Sequence, residues 1–263
     1  ALDRRQRQMC IRDSIYPLAI KATGALPVKS KAKNWGHDLE LMSDLTDDKT
    51  KVIFIASPNN PTGTAKTLKE IEIFLNNLKD DILVFLDQAY YEYIEGSEFD
   101  IPFSLIDDHP NLVISRSFSK AHGLAALRLG FCVSNPELSD YLNRVRQPFN
   151  ANSLALDLGK VALSDQEHIS KSVKINSSGM ERVKKAFANL DYNFIESWGN
   201  FISFDAKQDS DVAFQYFLEK GVILRSLKVY EMPQHLRVSI GTEEEMDFFL
   251  QVLEDYEKDL SKK

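Results

Sequence analysis

The feature that most constrains this chain is a series of short, wholly apolar runs, most of them ending in polar or turn-forming residues. VIFIA at 52–56 runs into Ser57-Pro58, ILVFL at 82–86 into Asp87, and LVI at 112–114 gives way to polar residues near Ser117; LGFCV at 129–133 is a fourth. Runs of this length, apolar on both faces and rich in β-branched residues, suit strands buried in a mostly parallel sheet. Between the first two lies TLKEIEIFLNNL at 67–78, with Leu68, Ile71, Leu75 and Leu78 at helical spacing. Thr67 followed by Glu70 reads as a capping box at its start. A strand–helix–strand unit follows, and with it an α/β fold.

After about residue 150 the texture changes. A long helical stretch over 153–190 comes first. Short strand candidates FISF (201–204), VIL (222–224) and LRVSI (236–240) follow, with helices over 211–219 and 243–256. This pattern predicts a smaller C-terminal α+β domain. A length of 263 residues suits about two domains: residues 15–150 as the larger, and 151–263 as a linking helix plus the small one. The first fourteen residues, ALDRRQRQMCIRDS, are basic and aperiodic. They have no apolar core for a signal peptide, and their aspartates sit badly in a transit peptide. They are read as foreign or disordered and left out of the fold.

Composition excludes several classes. A net charge of −7 argues against nucleic acid or anionic membrane as a partner. No apolar run approaches the roughly 20 residues of a membrane span. Two cysteines, Cys10 and Cys132, make no disulfide framework, so a reducing, cytoplasmic setting is expected. The five histidines show no metal-ligand spacing.

The chemistry-bearing residues follow the apolar runs. SPNNPTG at 57–63 reads alone as a turn. At a strand end facing a ligand crevice, Asn60 would offer an amide donor. Asp87 closes a very apolar strand, where a carboxylate is costly without a positive partner. It could cap a helix or meet an arginine; it could also hold the protonated nitrogen of a cofactor ring, since an opposite charge favours the charged form. Tyr90, three residues on, could donate its phenol. Ser117-Phe118-Ser119-Lys120, with Arg128 beyond, combines hydroxyl donors and a guanidinium suited to phosphate. Lys120 could be a surface residue or, with its amine activated by desolvation or by Arg128, a nucleophile. Arg225 and Arg237 lie in or beside apolar strand-like runs. They need anionic partners, whether acidic side chains or an anionic substrate. His122, close to Lys120, is read as structural.

In this order and spacing, Asn60, Asp87 with Tyr90, SFSK ending at Lys120, Arg128 and Arg237 together resemble the fold type I, class II aminotransferases. The stretches SPNNPTGT, LDQAYYEY, SFSKAHGLAALRLGF, VRQPFNAN, NFISF and GVILRSL through HLRVSIGT, with YPLA at 16–19, are more narrowly similar to the histidinol-phosphate aminotransferase group. The resemblance runs from about residue 15 almost to the C-terminus. It implies an aspartate-aminotransferase-like large domain with a mostly parallel sheet, and pyridoxal 5′-phosphate as cofactor. By the same resemblance Lys120 carries the cofactor and moves a proton. Asp87 faces the ring nitrogen, and Tyr90 and Asn60 face the ring oxygen. Ser117, Ser119 and Arg128 hold the cofactor phosphate. Arg237, joined by Arg225, takes the anionic group of the substrate.

The implied reaction is transamination between histidinol phosphate and 2-oxoglutarate, with glutamate as the other partner, in histidine biosynthesis. An aromatic-amino-acid aminotransferase and a phosphothreonine decarboxylase carry similar motifs and stand as alternatives. The family is usually a homodimer. Gln88 and Ala126 depart from it in minor ways. The larger departure is upstream: the family's glycine-rich phosphate loop and the aromatic that stacks on the cofactor ring precede Tyr16. By spacing, Asp13 stands at the aromatic's position. The expectation is a truncated chain, with an inactive fragment as a further alternative.

Overall fold

The computed structural model describes residues 5–9, 15–94 and 96–262. The first part of the chain gives β1 (Arg5–Met9), α1 (Ile15–Ala22), β2 (Leu26–Ser30), α2 (Leu39–Asp44), β3 (Thr50–Ala56), α3 (Leu68–Asn76), β4 (Leu83–Asp87), α4 (Leu105–Asp108), β5 (Leu112–Ser117), β6 (Gly130–Val133) and α5 (Pro136–Val145). Its six strands form one sheet in the order β2-β1-β3-β4-β5-β6. Neighbours run parallel except β5 and β6, which are antiparallel. The apolar runs lie where two-sided burial demands. Ile53, Ile55, Val84, Leu86, Leu112 and Ile114 are all buried, packed with Ile71, Phe74 and Leu75 of α3. The capping box is made: the Thr67 side chain accepts from the Glu70 amide, and Glu70 reaches back to the Thr67 amide.

The second part gives α6 (Ser153–Ser164), α7 (Gln166–Asn189), β7 (Phe194–Ile195), β8 (Phe201–Asp205), α8 (Ser210–Glu219), β9 (Arg225–Ser226), β10 (His235–Ser239) and α9 (Glu243–Leu260). Its strands form an antiparallel sheet in the order β7-β8-β10-β9. Phe187, Phe204, Phe217, Phe249 and Tyr256 form an aromatic core between this sheet and α7, α8 and α9.

Three expectations change. The helical stretch over 153–190 is two helices, because the Asp165 side chain accepts from the His168 amide and starts α7 afresh. VIL at 222–224 is not a strand. Gly221 has φ +86, and the Val222 amide bonds back to the Phe217 carbonyl at 2.9 Å, so the run is spent closing α8 and pairing begins only at Arg225. Finally, residues 1–14 do not all lie outside the fold: Arg5–Met9 is inserted between β2 and β3 with parallel pairing on both sides. Backbone pairing needs only an extended chain, so composition alone could not exclude it. Cys10 and Asp13 lie outside the described residues.

The two sheets meet at the SPNNPTG loop, where Gly63 has φ +80. A Cβ there would stand 2.0 Å from Ser197 Oγ and 2.8 Å from Ser197 Cα. The Gly63 carbonyl accepts from the Trp198 amide at 2.9 Å, and the Pro61 carbonyl accepts from Ser203 Oγ at 2.6 Å. Only glycine combines that backbone conformation with so close an approach. Among the described residues no helix is long and apolar enough to cross a membrane.

Candidate active site

Because β3, β4 and β5 are parallel, their C-terminal ends open on one edge of the sheet, the place where open α/β sheets bind ligands. Ala56 and Asp87 are in register, as are Asp87 and Ser115, so the loop after each strand starts at the same level. The Ser57 amide donates to the Asp87 carbonyl at 2.9 Å, and the Gln88 amide to the Ser115 carbonyl at 2.9 Å. Asn60, Asp87 and Tyr90, and Lys120 therefore arise from three adjacent strand ends.

Asp87 is partly buried. One carboxylate oxygen accepts the Ala89 amide at 3.0 Å, and the other accepts the Tyr16 hydroxyl. Burial pushes its pKa up; the Tyr16 hydrogen bond, the Ala89 amide and the Lys120 charge oppose that rise. The Tyr16 phenol is held protonated, first by burial and then by the Asp87 charge. Tyr90 is buried, and its ring lies 5.0 Å from Lys120 Nζ. The lysine sits in a tight loop: the Gly123 amide bonds the Lys120 carbonyl at 2.9 Å, and the His168 ring lies 3.1 Å from the Ala121 carbonyl.

Ser117, Ser119 and Arg128 are gathered by the same loop. Ser117 Oγ accepts the Ser119 amide at 3.1 Å, and Arg128 Nη1 contacts Ser119 Oγ at 3.5 Å and the Ala125 carbonyl at 2.8 Å. Arg128 is exposed. Gln88 is fully buried and turned away, accepting from Arg116 at 3.3 Å. His122 also turns away, its ring 4.9 Å from Phe118 and 3.7 Å from the Glu92 carboxylate, and burial lowers its pKa.

The small domain contributes Arg237, on β10, whose Nη1 donates to the Asn60 side-chain oxygen. Its Nε is buried without a partner, and burial lowers its pKa. Arg225 on β9 is directly opposite Arg237 in register, and is exposed. Like charges in that position repel. Phe201 of β8 lies beneath both halves, 5.2 Å edge-on from Tyr90 and 4.8 Å from the Arg237 guanidinium. The structure thus brings Asn60, Asp87, Tyr90, Lys120 and Arg237 together, sets the phosphate-type cluster beside them, and leaves Arg225 on the rim. Tyr16, Phe201 and His168 were not foreseen in these positions. Their contacts span 71, 111 and 47 residues of chain respectively, counted from Asp87, Tyr90 and Ala121. Tyr16 and Phe201 do fall within motif-bearing stretches.

Comparison with known proteins gives the family and the fold. The family model for aminotransferase class I and II matches residues 14–253. Histidinol-phosphate aminotransferase 1 of Nitrosococcus oceani is 45% identical over 241 residues, covering 92% of this chain and 65% of that protein. The chain therefore spans a little under two thirds of that relative's length. The crystal structure of histidinol-phosphate aminotransferase from Sinorhizobium meliloti in complex with pyridoxal-5′-phosphate is similar at a TM-score of 0.88 and 23% identity, over 98% of this chain and 72% of that one. Aspartate aminotransferase from Thermus thermophilus has the same fold at a TM-score of 0.83 and 17% identity, over 97% of this chain and 70% of that one. With the sheet edge, the lysine loop and the family match over nearly its whole length, the chain belongs to the class I and II aminotransferases.

Proposed function

We propose that this chain carries the larger part of a pyridoxal 5′-phosphate site that transaminates histidinol phosphate with 2-oxoglutarate, giving glutamate, in histidine biosynthesis. The observation that carries the substrate is the pair Arg225 and Arg237, opposite each other on adjacent strands with one guanidinium nitrogen unpartnered. Two like charges held together are relieved by a dianion, and a phosphate ester supplies one.

The residues present fit the cofactor. A carboxylate at a strand end, a lysine amine beside it, and a hydroxyl–guanidinium cluster match a ring nitrogen, an aldehyde and a phosphate in turn. In this reading Asp87 orients the ring and keeps its nitrogen protonated. Tyr90 and Asn60 donate to the ring oxygen, and Ser117, Ser119 and Arg128 hold the phosphate. When bound, the cofactor supplies an electron sink for the pair left when a substrate Cα proton is removed. Lys120 binds the cofactor and takes and returns that proton. General acid–base work of this kind contributes about 10²–10⁴-fold in rate. Arg237, steadied by Asn60, and Arg225 would fix the substrate phosphate. Glutamate uses the same arginines through a carboxylate. Residues 15–150 would form the partial cofactor domain and 151–263 the linking helices and small domain.

We also propose a homodimer as the working assembly. The exposed Leu154, Leu158 and Val161, at helical spacing along α6, support it; sedimentation of the chain as a monomer at all concentrations would count against it. The functional test is direct. Chain plus cofactor, given histidinol phosphate and 2-oxoglutarate, is expected to form glutamate. Turnover of phenylalanine instead would refute the substrate assignment. A borohydride-reducible adduct that survives Lys120→Ala would refute the site.

A further inference from the structure

Asp87 is the one carboxylate at the open sheet edge assigned to the cofactor ring, and its environment is built by a residue that the proposed reaction does not use. Tyr16 lies on α1, 71 positions earlier, yet its hydroxyl donates directly to Asp87. Its ring is stacked on Phe54 of β3, 5.0 Å between centroids at 22°. Phe54 in turn packs on Phe85 of β4, two residues before Asp87 on the same face of the strand, at 5.6 Å. The phenol is therefore aimed by a column of three rings that rests on the same strand as the carboxylate. With Ala89 on one oxygen and Tyr16 on the other, the carboxylate plane is fixed from both sides. Each oxygen keeps further lone-pair capacity for a ring N–H.

We propose that Tyr16 is a positioning residue that holds the Asp87 carboxylate in place for the ring nitrogen of pyridoxal 5′-phosphate. This rests on the cofactor reading above. Physically, Tyr16 does two things. It removes the rotation about the last side-chain torsion that Asp87 would otherwise have. It also replaces part of the hydration that burial strips from the carboxylate, so the charged form persists at the edge of an apolar sheet. A phenol suits this role because its own proton is held firmly by the same burial. It donates across the working pH range and does not compete as a base.

Tyr16→Phe removes the hydroxyl and keeps the ring column. The chain and this variant are titrated with pyridoxal 5′-phosphate between pH 5 and 9, following the visible absorbance and the borohydride-reducible adduct. The expected result is a loss of about tenfold in cofactor affinity at pH 7, the scale of one hydrogen bond to a charged group. The acid limb of binding should also move to higher pH, because Asp87 then takes up a proton more readily. A merely structural role would lower affinity equally at every pH and leave the limb in place. In an Asp87→Asn background the same substitution is expected to have little further effect. Unchanged or tighter binding by Tyr16→Phe at all pH values overturns the inference while leaving the site reading intact; tighter binding would make Tyr16 a competitor for Asp87. No Lys120-dependent adduct in the unaltered chain overturns both. If Tyr16→Phe does not fold by circular dichroism, carbon NMR of ring-labelled tyrosine decides: Asp87→Asn is expected to shift the Tyr16 resonance, and no shift overturns the inference.

Discussion

Replacing Gly63 by alanine puts the seam between the two sheets under a defined load. Two costs follow from the structure. The residue has φ +80, where a Cβ meets the following carbonyl, at about 1–2 kcal/mol. That Cβ would also stand 2.0 Å from Ser197 Oγ and 2.4 Å from Ser197 Cβ, and overpacking of this kind costs about 1–3 kcal/mol. Together they give about 2–5 kcal/mol, a fall in Tm of about 5–15 °C for a chain of this size. Gly24 supplies the control. Its φ is +76 but nothing lies within 4 Å of its Cβ position, so Gly24→Ala carries the backbone cost alone. Urea unfolding of both variants separates the two costs by subtraction. The Ser197 backbone is part of the clash, so Gly63→Ala should also pull Asn60 from Arg237 and weaken cofactor binding. A Gly63→Ala cost equal to that of Gly24→Ala, within about 0.5 kcal/mol, would refute the close approach as a determinant of the seam.

Arg225→Ala removes an exposed charge opposite Arg237. Stability is expected to change by less than about 0.5 kcal/mol, while the affinity for histidinol phosphate measured by calorimetry falls about tenfold. His37 is buried, and its Nε2 accepts the Ala56 amide at 3.1 Å, so burial holds its pKa down at about 3. Its ordinary value is 6.5, so the unfolded chain binds the extra proton between those limits. The stability it contributes is complete above about pH 6.5 and is lost at about 1.4 kcal/mol per pH unit as pH falls toward 3. Urea midpoints at pH 7 and pH 5 read this, and a His37→Asn variant with the same pH slope would exclude His37 as the source.

Much of this was legible along the chain. The runs at 52–56, 82–86 and 112–114 declare buried parallel strands because no polar atom interrupts them. A parallel arrangement obliges Asn60, Asp87 and Lys120 to share an edge. Thr67 with Glu70 names a helix start through contacts three residues apart. What stayed hidden is decided by distant partners. The VIL run looks like a strand until Gly221 turns it back onto α8. Asp165 breaks a helical pattern whose apolar spacing continues across it. Arg237 reveals neither its bond to Asn60, 177 residues away, nor its register with Arg225. Tyr16 belongs to a recognisable motif, yet its hydroxyl has meaning only once α1 lies against β3 and β4. Basic composition told against Arg5–Met9, whereas a strand gap asks only for backbone.

Phe201 is a single ring shared by the two halves of the proposed site. One face of the small-domain sheet offers the same ring to Tyr90, on the proposed cofactor side, and to Arg237, on the proposed substrate side. Were the proposed cofactor and substrate sites filled, a shift of that ring on one side would change its contact on the other. Any coupling carried in this way would be reciprocal: the factor by which one ligand changed the affinity for the other would hold in both directions. Phe201→Ala would remove the ring that touches both Tyr90 and Arg237, and with it this shared contact.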